Sequence, residues 1–275
     1  MMMLLSRRAV LAFAALAAPA RALAAPAPAA SPWVVGHRSR VRLLDGGGDG
    51  AQLMAALEIE LHNGFKTYWR TPGDSGVPPT FDWTASTNVA AVEPLWPVPR
   101  RFEDAGGVSY GYHDRLVLPV RVSLRDAARP ARLAGAVDYG VCKDICIPAR
   151  AEVALDLAGK GPPPAPVAEA LARVPVSQPI GADGPLAILA VAPQPGAKLA
   201  VSVRAPAGDP PTLFPEAPDN WYLAPGAMSD AGTFAVEVAQ RPRDATGPVE
   251  LRFTLAAGER AVETIVRLDA ADLAR

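Results

Sequence analysis

The strongest constraint on the fold is an alternation of apolar and polar side chains at period two, kept up in short segments that proline and glycine cut apart. Leu57, Ile59 and Leu61 fall on one side of such a segment and Glu58, Glu60 and His62 on the other, the pattern of a half-buried strand. Asn63-Gly64 follows as a hairpin turn whose residues tolerate positive φ, and Phe65 to Arg70 forms the return strand. Further strands are expected at Leu116 to Leu124, where Pro119 marks an edge or bulge, at Leu133 to Tyr139, and at Ala151 to Leu157. No long amphipathic helix interrupts them. With 30 prolines and 23 glycines in 275 residues to supply turns, the pattern is that of an all-β chain with a β-sandwich over residues 33–158.

Residues 159–174 (GKGPPPAPVAEALARV) contain three consecutive prolines followed by a short helical stretch, the composition of a linker. A second, smaller β-rich domain is expected over 175–275. Its strands are Leu186 to Val191, Leu199 to Val203, Phe234 to Val238, Val249 to Leu255 and Val262 to Leu268. Turn-rich stretches such as Asp209-Pro210-Pro211 and Ala217-Pro218-Asp219-Asn220 lie between them. This region has neither cysteine nor histidine, so no motif in it names a chemistry.

The amino terminus reads as an export signal. Arg7 and Arg8 precede an apolar run from Ala9 to Ala18 that is too short for a membrane anchor, and Ala22-Leu23-Ala24 offers a cleavage site. Ser6-Arg7-Arg8-Ala9-Val10-Leu11 also has the form of a twin-arginine signal. Cleavage after residue 24 leaves a Pro/Ala leader (25–32), expected to be flexible, and a soluble periplasmic protein. Removing the arginines at 7, 8 and 21 from the 27 basic residues leaves 24 against 28 acidic ones. Such balance argues against nucleic acid as a partner.

Cys142 and Cys146 are the only cysteines, and an exported protein can bond them. In extended chain their Cα atoms would lie about 13 Å apart, whereas a disulfide needs roughly 4.4–6.8 Å. A turn at Lys143-Asp144-Ile145 would make them cross-strand neighbours. Three readings remain open. As a static staple the bridge closes a five-residue loop worth roughly 2 kcal/mol, against ~4.7 for a 100-residue loop, and a sandwich of this size has little need of it. As a metal site, for Cu(I) or zinc, the pair needs further ligands, and the chain offers only His37, His62 and His113. As a redox pair it needs accessibility, which a short hairpin end provides. Lys143 favours a neighbouring thiolate and Asp144 opposes it.

Three segments, GFKTYWRTPGDSGVPPTFDW (64–83), WPVPRRFEDAGGVSYGYHDRLVLPVRV (96–122) and DYGVCKDICIPARAEVAL (138–155), resemble in order and spacing the amino-terminal domain of the DsbD thiol:disulfide interchange family, in particular its ScsB-like, suppressor-of-copper-sensitivity branch. The resemblance covers residues 33–158. It implies an immunoglobulin-like β-sandwich in the periplasm, acting as a thiol-disulfide oxidoreductase without a cofactor. Cys146 matches the cysteine that attacks a client disulfide and Cys142 its resolving partner. A cap loop over Phe102 to Tyr112, with Phe102, Glu103, Asp104 and Tyr110, is implied to shield the pair, with Ala105-Gly106-Gly107 as its hinge. Tyr68 and Trp69 match supporting aromatic positions. The implied partners are periplasmic thioredoxin-like proteins or disulfide isomerases and an electron carrier in the membrane, here expected to be encoded separately. The alternatives are a non-catalytic binding or chaperone-like module with a structural disulfide, and a Cu(I)-handling protein.

Overall fold

A computed structural model describes residues 29–104, 107–143 and 145–274. The export signal, most of the leader, Ala105-Gly106 and Asp144 lie outside the described residues. Eleven strands form the first sandwich: β1 (Val34–Gly36), β2 (Ser39–Asp49), β3 (Gln52–Leu61), β4 (Lys66–Gly73), β5 (Thr80–Asp82), β6 (Val89–Pro94), β7 (Arg100–Asp104), β8 (Gly107–His113), β9 (Arg115–Leu124), β10 (Ala131–Cys142) and β11 (Cys146–Leu157). One sheet has the order β1-β2-β3-β9-β6, the other β11-β10-β4-β8-β7 with β5 also paired to β10. Their facing side chains, among them Leu43, Leu57, Ile59, Leu118, Leu133 and Leu155, are fully or almost fully buried. The fold is therefore all-β and immunoglobulin-like.

Two local expectations are corrected by this topology. Asn63-Gly64 does reverse the chain, with Gly64 at φ 82°, but it makes no hairpin. β3 and β4 belong to opposite sheets, and β4 pairs with β8 and β10 instead. Pro119 marks neither an edge strand nor a bulge, because β9 lies between β3 and β6 with the register shift elsewhere. Its carbonyl accepts the Leu95 N–H at 2.8 Å, so its nitrogen faces the same side, where the β6 ladder ends at Pro94. The missing N–H thus removes no bond to β3.

Glu58 sits on the outward face of β3 yet is 0 % exposed, because Arg42 and Arg115 from the flanking strands close over it at 2.6 and 2.5 Å. Ala29 to Ser31, within the expected leader, hydrogen-bond along β2. The helix α1 (Ala165–Ala172) starts after Pro164 and buries Val167 against Leu44 and Ala56 on the outside of the five-stranded sheet.

The second sandwich comprises β12 (Val176–Ser177), β13 (Ala187–Gln194), β14 (Lys198–Arg204), β15 (Thr212–Glu216), β16 (Tyr222–Met228), β17 (Thr233–Gln240), β18 (Pro248–Ala257) and β19 (Arg260–Asp269). Its sheets have the orders β12-β19-β18-β15 and β13-β14-β17-β16. β15 and β16, which contain Pro215 and Pro225, flank the turn-rich stretch at 217–220 and are not among the strands expected from the sequence. They nevertheless carry Phe214, Glu216 and Tyr222, through which the second sandwich meets the first.

Candidate functional site

β10 and β11 form one continuous hairpin whose last paired residues are Cys142 and Cys146. Their Cα atoms lie 4.1 Å apart, and the sulfurs are bonded. The two cysteines have unequal surroundings. Cys142 is 1 % exposed and faces Lys66 of β4, whereas Cys146 is exposed and follows Ile145, which is 72 % exposed. One cysteine is an exposed residue and the other is buried behind it.

Tyr68 is the side chain that meets the pair. Its hydroxyl lies 3.0 Å from Cys146 Sγ, and since a disulfide sulfur carries no hydrogen, the phenol donates. Burial, and then the negative charge of Asp104, push the Tyr68 phenol above its ordinary pKa. It therefore remains a neutral donor at neutral pH. The ring is seated between two glycines. A Cβ on Gly140 would stand 3.4 Å from Cδ2 and Cε2, and one on Gly76 would stand 2.6 Å from Cε1, so at position 76 a side chain would displace the ring.

Lys66, two residues before Tyr68 and on the same face of β4, was not singled out from the sequence. Its ammonium donates to Asp104 Oδ2 at 2.8 Å and to Ser109 Oγ at 2.9 Å, and lies 5.3 Å from the Phe102 ring centroid and 5.8 Å from that of Tyr68. The segment implied to be a cap is the β7–β8 hairpin. Lys66 ties its tip to the strand beside the cysteines, and the Phe102 ring packs on His113 at 5.1 Å.

Not every implied residue gathers at the sulfurs. Glu103 is exposed and pairs with Arg101 at 2.8 Å. Trp69 and Tyr110 point into the core, where each packs edge-on against Phe214 of the second sandwich at 5.8 and 5.1 Å. Burial raises the Tyr110 phenol to about 12, with lesser and opposed effects of Arg101 and Asp74. Tyr112 is buried and donates to the Pro97 carbonyl at 2.7 Å. Among the described residues, no three His, Cys, Asp or Glu side chains form a group suited to a metal ion.

Fold and site together define a class: an immunoglobulin-like sandwich that presents a bonded cysteine pair, one of the two an exposed residue, at the end of a hairpin. Residues 44–158 match the family described as thiol:disulfide interchange protein DsbD, N-terminal, so the first sandwich is like that domain. No curated protein sequence matches the chain. Among solved structures, the N-terminal periplasmic domain of ScsB from Proteus mirabilis aligns over 87 % of this chain and 98 % of its own, with 23 % identity and a TM-score of 0.67, so both sandwiches share its fold. A conserved domain protein from Bacillus anthracis aligns over 87 % and 88 % with 9 % identity and a TM-score of only 0.22. No helix among the described residues is long and apolar enough to cross a membrane.

Proposed function

We propose that the protein is a periplasmic thiol-disulfide exchange protein that passes reducing equivalents to client proteins through Cys142 and Cys146. The observation that carries this reading is the asymmetry of the pair: an exposed Cys146 with a phenol donating to its sulfur, and a buried Cys142 bonded behind it. In the reduced protein the Cys146 thiolate attacks a client disulfide, forming a mixed disulfide and releasing one client thiolate. The Cys142 thiolate then attacks Cys146 Sγ, the mixed disulfide breaks, and the second client thiolate leaves. The client gains two electrons and two protons, and the pair is left oxidised. A thioredoxin-like donor restores the dithiol by the same two exchanges in reverse. Exposed Ile145 offers such partners an apolar contact beside the reacting sulfur. The export-type amino terminus and the likeness to a periplasmic domain support the compartment.

A Cys142→Ala variant should accumulate covalent complexes with periplasmic thioredoxin-fold proteins, visible on non-reducing gels and lost on reduction, whereas Cys146→Ala should not. If neither variant captures a partner, the exchange reading is wrong.

A further inference from the structure

We propose that the second sandwich positions the Tyr68 hydroxyl on Cys146 and thereby sets how readily Cys146 reacts, with Tyr222 and Glu216 as its positioning residues. The proposal deepens the reading of Cys146 as the attacking thiol and rests on it.

The β4–β8 ladder breaks directly after Tyr68 and resumes at Gly73. A break of this kind leaves residues 69–72 without cross-strand partners on that side, and these are the residues the second sandwich holds. Trp69 packs on Phe214. Arg70 donates from Nε to Glu216 Oε2 at 2.9 Å and from Nη2 to Glu216 Oε1 at 2.7 Å, and Nη2 also reaches Glu263 Oε2 at 2.5 Å. Thr71 Oγ1 donates to Glu216 Oε2 at 2.7 Å. Glu216 thus grips two successive bulge residues with one carboxylate, in a partly buried setting where such paired contacts are strong and geometrically specific.

The chain leaving the bulge is held a second time. Tyr222 of the second sandwich donates to Asp74 Oδ1, while Asp74 Oδ2 accepts the Val108 N–H at 2.6 Å and the Asp74 N–H donates to the Val108 carbonyl at 2.8 Å. Two residues further on, the Gly76 backbone lies against one edge of the Tyr68 ring. The slot that aims the phenol at Cys146 therefore has one wall, Gly140, on the cysteine-bearing strand β10. The other wall hangs from a segment anchored by the second sandwich at Arg70, Thr71 and Asp74. Displacing that wall frees the ring, and the hydrogen bond, 3.0 Å long, weakens as the hydroxyl moves out of line with the sulfur.

The test uses the full chain carrying Cys142→Ala, so that Cys146 is the single thiol, and measures its alkylation by iodoacetamide at pH 7. Tyr68→Phe should slow alkylation about threefold. Tyr222→Phe and Glu216→Gln should each slow it by about twofold or more, and should add nothing in the Tyr68→Phe background, because all act through one hydroxyl. Thermal unfolding is followed in parallel. Unchanged alkylation in both Tyr222→Phe and Glu216→Gln, with or without a loss of stability, marks a merely structural interface and overturns the proposal. So do slowing that multiplies with that of Tyr68→Phe and a Tyr68→Phe variant with normal reactivity. Because alkylation needs no client, failure here is distinguishable from failure to trap a client, which bears on the exchange reading alone.

Discussion

Replacing Tyr68 by phenylalanine removes one hydroxyl and leaves the ring in its glycine slot, so its consequence can be worked through. In the reduced protein the phenol would donate to the Cys146 thiolate, and a hydrogen bond to a charged group is worth about 1.5–3 kcal/mol. Cys146 is an exposed residue, so the lower figure applies, which moves the midpoint of thiol ionisation up by about one pH unit. At pH 7 the thiolate fraction falls about tenfold, while each thiolate becomes about threefold more nucleophilic on a Brønsted slope of ~0.4–0.5. The net expectation is exchange about threefold slower. Near pH 10 both proteins are largely thiolate, and the variant should be about threefold faster. The wild-type phenol still holds its proton there, since burial and Asp104 raise its pKa. Stopped-flow reaction of the reduced proteins with a small aromatic disulfide from pH 6 to 10 measures both limbs. A ratio of rates that does not cross unity with pH would refute the assigned hydrogen bond.

Other expectations concern the frame around the site. Phe214 fills the space between Trp69 and Tyr110, so Phe214→Ala should cost about 3–5 kcal/mol in denaturant unfolding; a loss below about 1 kcal/mol would show that the sandwiches are not coupled through this ring. Removing both Arg42 and Arg115 takes from the Glu58 carboxylate its partners and also its cover, so water replaces part of what is lost and the double alanine variant should lose about 1–3 kcal/mol, with a near-neutral result excluding a stabilising network. Tyr110 and Tyr112 hold their protons above the ordinary tyrosine pKa, chiefly because they are buried. The folded state therefore binds more protons than the unfolded state from about pH 10 upward, and stability should fall as pH rises from 10 to 12, by about 2 kcal/mol for Tyr110. Urea unfolding at pH 9 and 11 measures this, and equal stabilities would contradict it.

Much of the first sandwich was legible because half-buried strands write themselves in the sequence. Leu57, Ile59 and Leu61 alternate with polar neighbours and all are buried, and the three residues between the cysteines allow little besides a hairpin end. Where reading failed, the deciding contact was remote in sequence. Asn63-Gly64 looks like a hairpin turn, yet only the partner strands show that β4 crosses to the other sheet. Pro215 and Pro225 break the strand pattern of their own segments, whose strands exist because β18 and β17 pair with them. Glu58 looks like an exposed position because the arginines that cover it come from two other strands. At the site, the cysteines and Tyr68 were found, but Lys66 was not, although its place two residues before Tyr68 puts it on the same strand face. The grip of Glu216 and Tyr222 on the segment after Tyr68 spans about 150 positions of chain and leaves no local trace.

The central claim, that Cys142 and Cys146 exchange rather than staple, is tested most directly by their reduction potential, obtained by equilibrating the full chain with graded dithiothreitol or glutathione and counting free thiols. A short hairpin-end bridge with one exposed cysteine should titrate above about −300 mV, within the range of known exchange proteins. A potential below about −300 mV would mark a structural disulfide and contradict the account.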